Sequence, residues 1–296
     1  MKKIISLKNI SKRFGGVKAV EDVSLDLLES EVCGIVGHNG AGKTVLMNIL
    51  SGVYNSDTGE IYYYGNKVNF KSPADAKKKG IETIHQNLAL AENLNASANL
   101  FLGREIYNKI YFRDEKKMFL ESKKAINKIN KYFKDFNTNV ANLSGGQKQS
   151  IAIARAVYFN AKVLIMDEPT AGLDVSVQGE ILNLMADLQD QLRISYLIIS
   201  HNLPVVRHVS DKIAIMYLGR FVEQGDAESI FTRPGHPYTK VLLEGVPQPD
   251  PDKRRKIISI EGEVPSLADR PIGCEFHTRC SYAQPRCNQE RPSLQK

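Results

Sequence analysis

The sequence predicts an α/β fold: a mixed or parallel central sheet, an N-terminal antiparallel β subdomain, a helical insertion and a small C-terminal extension. Three observations predict it. Short apolar runs at 32–36, 163–166 and 196–199, and a strand-like run at 212–217 opened by Lys212, alternate with stretches of helical periodicity. That is the pattern of buried parallel strands covered by helices. The first run opens directly into Gly37-His38-Asn39-Gly40-Ala41-Gly42-Lys43-Thr44, and a helix-compatible run follows at 45–50. Residues 5–10 alternate, with Ile5, Leu7 and Ile10 against Ser6, Lys8 and Asn9, as half-buried antiparallel strands do.

The elements follow in order. A turn cluster at 55–59 precedes a strand at 60–64 and a Gly65-Asn66 turn. Pro73 starts a short helix reaching 79, and residues 81–85 form the next strand. From 93 to 142 asparagine and lysine rise and long apolar strands vanish, which predicts the helical insertion. Within it Phe119, Ile126, Ile129 and Phe133 recur at helical spacing, so one amphipathic helix is expected to turn its apolar side inward. Helices are expected at 144–158 and 176–192. Beyond 245 the chain becomes proline-rich and charged, with Pro247, Pro249 and Pro251 in alternation, which reads as a linker into a small C-terminal piece.

Composition sets limits. The 296 residues are 42% hydrophobic and 25% charged, values expected of a soluble globular protein of one large or two modest domains. No apolar run approaches the roughly 20 residues of a membrane span, and Met1-Lys2-Lys3-Ile4 leads into no long apolar signal core. A cytosolic chain is expected, with any membrane role coming through a partner. The net charge is +7. Most of that excess lies between Arg104 and Asp135, and reads as a solvated helix face. Cys33, inside an apolar strand, is expected to be a small core residue.

The 37–44 motif has the spacing of a phosphate-binding loop. A strand ends, glycines expose backbone N–H groups, and a helix begins with its positive end facing the same point. Lys43 then reaches the β- and γ-phosphates, and the Thr44 hydroxyl joins a Mg²⁺ shell. Residues 163–166 form an apolar strand ending in Asp167 and Glu168. Ligands sit at such strand ends in parallel sheets. Asp167 is expected to hold Mg²⁺ and Glu168 to orient or deprotonate the attacking water. In Leu143-Ser144-Gly145-Gly146-Gln147, Ser144 is placed to cap a helix. Two glycines in a first helical turn cost about 1 kcal/mol each relative to alanine, which favours contact of Gly145 and Gly146 with an anionic ligand.

Together these motifs resemble the nucleotide-binding subunit of ATP-binding cassette transporters, over residues 3 to about 245. The resemblance implies a P-loop NTPase cassette at 1–245, its helical subdomain at about 88–150, and a linker with a cysteine-bearing extension at 246–296. It implies roles as well. Phe14 matches the aromatic that stacks on adenine; Gly37, Asn39, Gly40, Gly42, Lys43 and Thr44 match the phosphate loop. Gln86 matches the glutamine that links Mg²⁺ and nucleotide to the helical subdomain. Ser144, Gly145, Gly146 and Gln147 match the signature that caps ATP from the opposite subunit. Asp167 and Glu168 match the magnesium and catalytic carboxylates. Asp174 lies in the loop that crosses the dimer interface, and His201 matches the switch histidine that senses the γ-phosphate.

By this resemblance one chain holds half-sites, so each ATP needs two chains head to tail, in a homo- or heterodimer. The implied partners are transmembrane permease subunits and, indirectly, an extracytoplasmic solute-binding protein. The implied location is the cytoplasmic face of the membrane, and no nucleic acid is expected. The alternative, motivated by the basic balance, is a soluble cassette ATPase acting on nucleic acid or the ribosome. Such proteins usually carry two cassettes or a coiled-coil insertion, and the sequence shows neither. An inactive scaffold is a third reading, against which Lys43, Glu168 and His201 all stand.

The subfamily signals interleave. Ile81-Glu82-Thr83-Ile84-His85-Gln86 and Asn99-Leu100-Phe101-Leu102-Gly103-Arg104-Glu105 resemble monosaccharide importers, as do residues 1–170 generally. Leu173-Asp174-Val175-Ser176-Val177-Gln178 and Gly235-His236-Pro237-Tyr238-Thr239-Lys240 resemble dipeptide and oligopeptide importers. Sugar and peptide both stand as cargo, and the docking region leans slightly to sugar. Cys274, Cys280 and Cys287 match a peptide-type motif that can hold an iron–sulfur cluster with four cysteines. Here there are three, so a cluster would have to recruit His277 or leave an iron position open, and the alternative is three reduced thiols with no metal.

Overall fold

In the computed structural model, residues 2–246, 263–292 and 294 are described. The expected proline-rich linker, with Pro247, Pro249 and Pro251, lies outside the described residues. The chain divides into two compact units, Met1–Ala76 with Ser195–Lys296, and Lys77–Ile194.

The first unit begins with the antiparallel pair β1 (Lys3–Phe14) and β2 (Val17–Leu28). The alternation that predicts β1 is interrupted at Asn9, which takes a positive φ of 52°. The register shifts between Leu7 and Ile10, so Ile10 returns to the buried face. Such a bulge keeps an apolar side chain inward when strict alternation would turn it out. Asn9 also donates through Nδ2 to Asp22 Oδ1 at 2.7 Å, which holds the bulge. β4 (Thr58–Tyr63) and β5 (Asn66–Val68) complete this sheet in the order β2-β1-β4-β5.

β3 (Val32–Val36) is wholly buried and leads through the 37–44 loop into α1 (Lys43–Leu50). It pairs in parallel with β8 (Ser195–Ser200) on one side and β9 (Lys212–Tyr217) on the other. β10 (Arg220–Asp226) pairs antiparallel with β9, which makes this sheet mixed. α7 (Leu203–Val209), α8 (Ala227–Thr232) and α9 (Pro237–Glu244) follow β8 and β10. One core joins Val36, Val206, Ile213, Ile215, Tyr217, Ile230, Tyr238 and Phe276. Phe276 ties the C-terminal residues to the sheet.

The second unit holds β6 (Ile81–Ile84) and β7 (Val163–Asp167) as a parallel pair. α2 (Pro73–Lys78) runs into it from the first. Its helices are α3 (Ala96–Leu100), α4 (Glu115–Ile129), α5 (Gly145–Tyr158) and α6 (Val175–Leu192). α4 buries Met118, Ser122 and Ile126 and exposes Lys116, Lys117, Lys123, Lys124 and Lys128, the expected solvated basic face. Phe133 belongs to the core but not to the helix. α4 stops at Asn130, whose extended backbone (φ −137°, ψ 99°) turns the chain, and Phe133 packs edge-on against Phe136 from the loop beyond.

Candidate functional site

The first unit carries three of the expected groups. Gly42 sits at φ 103°, and a Cβ there would lie 2.5 Å from the Ala19 carbonyl oxygen. Only glycine fits that turn, and it lets α1 begin with its N–H groups open toward the loop. Lys43 is buried and folds back to donate to Gly37 O at 2.6 Å and His38 O at 3.0 Å. Its ammonium is thus held over the loop by the Gly37 and His38 carbonyl dipoles. Thr44 is exposed in the first turn of α1.

Phe14 ends β1 with 42% of its surface exposed, in a T-shaped pair with Tyr54 at 5.1 Å and with Lys12 Nζ 5.6 Å over its ring. His201 is exposed directly after β8 and lines, with His38 and Tyr238, a cleft of about 560 Å³. Burial lowers the pKa of His38, and Lys43 and Arg279 push it further down against the pull of the Asn39 carbonyl. His38 is therefore neutral near pH 7.

The second unit carries the others. Ile84 and Met166 are register partners in the β6–β7 pair. His85 and Asp167, then Gln86 and Glu168, therefore leave the two strands side by side. Asp167 is buried, Glu168 half-buried and Gln86 exposed. Glu168 takes a positive φ of 49°, an uncommon conformation for a non-glycine residue and one that clusters at functional sites. His85 is a neighbour that sequence reasoning passed over. Burial lowers its pKa, Asp167 pulls it up, and Lys77 and Arg155 lower it again. Its position immediately before Gln86 at the strand end was the available signal.

Ser144 and Gln147 form a reciprocal cap on α5. Gln147 N donates to Ser144 Oγ at 3.3 Å, and Ser144 N donates to Gln147 Oε1 at 2.9 Å. Asp174 caps α6 by accepting the Val177 N–H at 2.9 Å. The two glycines between have close neighbours. A Cβ at Gly145 would lie 2.7 Å from Leu173 Cδ2, and one at Gly146 would lie 2.8 Å from Val177 Cγ1. α5 therefore also packs closely on the 173–177 segment at these two glycines, beside whatever contact they make with a ligand.

The expected iron–sulfur donors do not converge. Cys274, Cys280 and Cys287 are free thiols, and among the described residues no group of three or more His, Cys, Asp or Glu is placed to hold a metal ion. Cys274 and Cys280 pack against the same core, Cys274 N donates to the Cys287 carbonyl at 2.8 Å, and Cys287 Sγ accepts the Gln284 N–H at 3.4 Å. His277 turns its Nδ1 to the Cys274 carbonyl at 2.8 Å. These residues do not fit a cluster.

Among the described residues, no helix is long and apolar enough to cross a membrane. Residues 20–171 match the family model described as ABC transporter, and residues 222–287 match that described as Oligopeptide/dipeptide transporter, C-terminal region. The dipeptide transport ATP-binding protein DppF of Haemophilus influenzae is 37% identical, over 95% of this chain and 86% of its own length. The xylose/arabinose import ATP-binding protein XylG of Sulfolobus acidocaldarius is 43% identical, over 75% of this chain and 88% of its own. Among solved structures, the ADP conformation of MJ1267, an ATP-binding cassette of an ABC transporter, superposes with a TM-score of 0.70. It is 27% identical and covers 83% of this chain and 100% of its own.

Proposed function

This chain belongs to the ABC transporter ATP-binding family, and from that premise we propose that it drives a peptide importer from the cytoplasmic face of the membrane. The family hydrolyses ATP, and its importer subunits dimerise and work with transmembrane permease components. The relatives named above give no support to a role on nucleic acid or the ribosome.

In this reading Phe14 stacks on the base, and Lys43 with the N–H groups of the 37–44 loop holds the phosphates. Thr44, Gln86 and Asp167 offer the hard oxygen donors that suit Mg²⁺. That ion, when bound, neutralises charge developing on the phosphoryl oxygens. Glu168 positions and deprotonates the attacking water, and His201 contacts the transferred phosphoryl group. Ser144, Gly145, Gly146, Gln147 and Asp174 act on the nucleotide held by a second copy or a paired subunit. ATP therefore favours the closed dimer, and hydrolysis releases it to move the permease between two states.

The observation that carries peptide as cargo is the match of residues 222–287 to the peptide-importer C-terminal region, together with 37% identity over 95% of the chain to a dipeptide transport subunit. The 43% identity to a pentose import subunit, over 75% of the chain, supports sugar as the second reading. Affinity purification of the tagged chain from membranes, followed by reconstitution with the co-purified permease and its solute-binding protein, separates the two. Peptide-loaded binding protein is expected to stimulate ATP turnover; stimulation by a pentose alone would reverse the assignment.

A further inference from the structure

The C-terminal region, residues 222–287, takes no part in the ATP chemistry above. Its contacts run to the phosphate loop nonetheless. Glu223 accepts the Gly235 and His236 N–H groups at 2.6 and 3.0 Å, which fixes the approach to α9. His236 then caps that helix, its Nδ1 accepting the Tyr238 N–H at 3.1 Å. Tyr238, so placed, is 3% exposed, and its hydroxyl accepts the backbone N–H of His38 at 3.0 Å.

His38 is thereby held from both ends of its peptide units. Its N–H goes to Tyr238, while its carbonyl accepts Lys43 Nζ at 3.0 Å. Its ring stands edge-on to Tyr217 and Tyr238, with centroids 5.2 and 6.3 Å away. Behind Tyr238 lies Phe276, wholly buried, 5.4 Å from the Tyr238 ring and 5.5 Å from Tyr217. An unbroken line of packed groups therefore joins the cysteine-bearing segment to the second residue of the phosphate loop. A part-buried backbone N–H without a partner is costly, so the Tyr238 hydroxyl selects the loop conformation in which that bond is made. A loop fixed before ligand arrives loses less freedom on binding.

We propose that Tyr238 is a positioning residue for the nucleotide: by holding the His38 amide it presets the phosphate loop, and through it the C-terminal region sets ATP affinity. The inference rests on reading 37–44 as the ATP phosphate loop.

Tyr238→Phe removes the acceptor and keeps the ring. Its affinity for ATP is expected to fall about 3- to 10-fold, the loss of one hydrogen bond's net contribution. KM for ATP rises in parallel while kcat stays within about twofold, because the bond is made alike in ground and transition states. Amide exchange gives the readout that mere loss of packing would not move: His38 N–H is slow in the wild type and fast in Tyr238→Phe. Unchanged affinity and unchanged exchange in the variant overturn the proposal. So does a wild-type His38 amide exchanging as fast as the exposed Asn39 and Gly40, a test that does not need the variant to fold. Wild-type protein that fails to bind ATP sinks the underlying assignment of the loop instead.

Discussion

Val36 and Ser200 are register partners in the parallel pair of β3 and β8, so Gly37 and His201 leave adjacent buried strands at the same level. The strands, not the loops, set this juxtaposition. His201 is pinned from the following side too: Asn202 N donates to Ser200 Oγ at 3.0 Å, and the Asn202 side chain caps α7. His201 is thus fixed in backbone and exposed in side chain beside the start of the 37–44 loop, the position from which the proposed function has it contact the transferred phosphoryl group.

His201→Ala should therefore separate binding from turnover. Nucleotide affinity is expected to stay within about threefold, since Lys43 and the loop amides remain. Turnover should drop about 10²-fold, as removal of a single preorganised donor does in other enzymes. Equilibrium binding of ATP and single-turnover hydrolysis measure the two. Parallel losses in both would assign His201 to binding alone.

Glu168 sits half-buried at a positive φ on the turn after β7, with Asp167 at the strand end before it. Glu168→Gln keeps the volume and removes the carboxylate proposed as the base. ATP binding should persist, turnover should fall by about 10²-fold or more, and an ATP-dependent dimer should accumulate on size exclusion. Wild-type turnover in this variant would move the catalytic role elsewhere.

How much of this was legible in the sequence follows from how local each feature is. The phosphate loop was readable because strand, glycine turn and helix lie within twenty residues and each constrains the next. The α4 stripe was readable up to Ile129, but Phe133 enters the core from a loop, and its spacing only imitated the helix. The close neighbours of Gly145 and Gly146, Leu173 and Val177, lie far along the chain, so the local propensity argument could not show that packing. The cysteine spacing suggested a cluster, yet among the described residues no group of three or more candidate ligands is placed to hold a metal ion. The Tyr238–His38 bond spans 200 positions and leaves no mark in either local pattern.

Glu82 and Arg104, singled out in sequence within two separate importer-type stretches, prove to be one ion pair at 2.6 Å. Glu82 is buried, and the Arg104 guanidinium also lies 4.2 Å over the Phe159 ring. Arg104→Met should destabilise the protein by about 2–3 kcal/mol, by leaving a buried carboxylate without its guanidinium. Adding Glu82→Gln should recover most of that loss, a coupling that denaturant unfolding of the two single variants and the double variant would reveal. Simple additivity would show the pair to be inert.

Glu21 ties the C-terminal residues to β2 through Arg270, and pairs with Arg220 at 3.1 Å and Lys18 at 2.6 Å. Burial alone would raise its pKa, but the Lys18 hydrogen bond and the Arg220 and Arg270 charges lower it to about 2. A carboxylate with a depressed folded pKa stabilises fully above its unfolded value of 4.5 and loses that contribution as pH falls toward 2. The melting temperature should therefore decline over that window in the wild type. Glu21→Gln should start lower at neutral pH and decline less steeply on acidification. Parallel wild-type and variant curves would remove Glu21 from the acid response.

Cys33 gives a last test, of the central sheet itself. It lies in β3 between β8 and β9, has no exposed surface, and burial pushes its pKa up to about 12. Only the thiolate reacts, and here both access and ionisation are withheld. Cys274, Cys280 and Cys287 are free and half-exposed. Under native conditions at pH 8 iodoacetamide should label Cys280 and Cys287 first, Cys274 more slowly because burial raises its pKa, and spare Cys33, with that fourth label appearing only as the fold opens. Because β3 ends at the phosphate loop, bound ATP should slow that fourth reaction in proportion to the nucleotide's stabilisation of the native state. Prompt native labelling of Cys33, read by mass spectrometry of its peptide, would show that the strand carrying the loop is not buried as described.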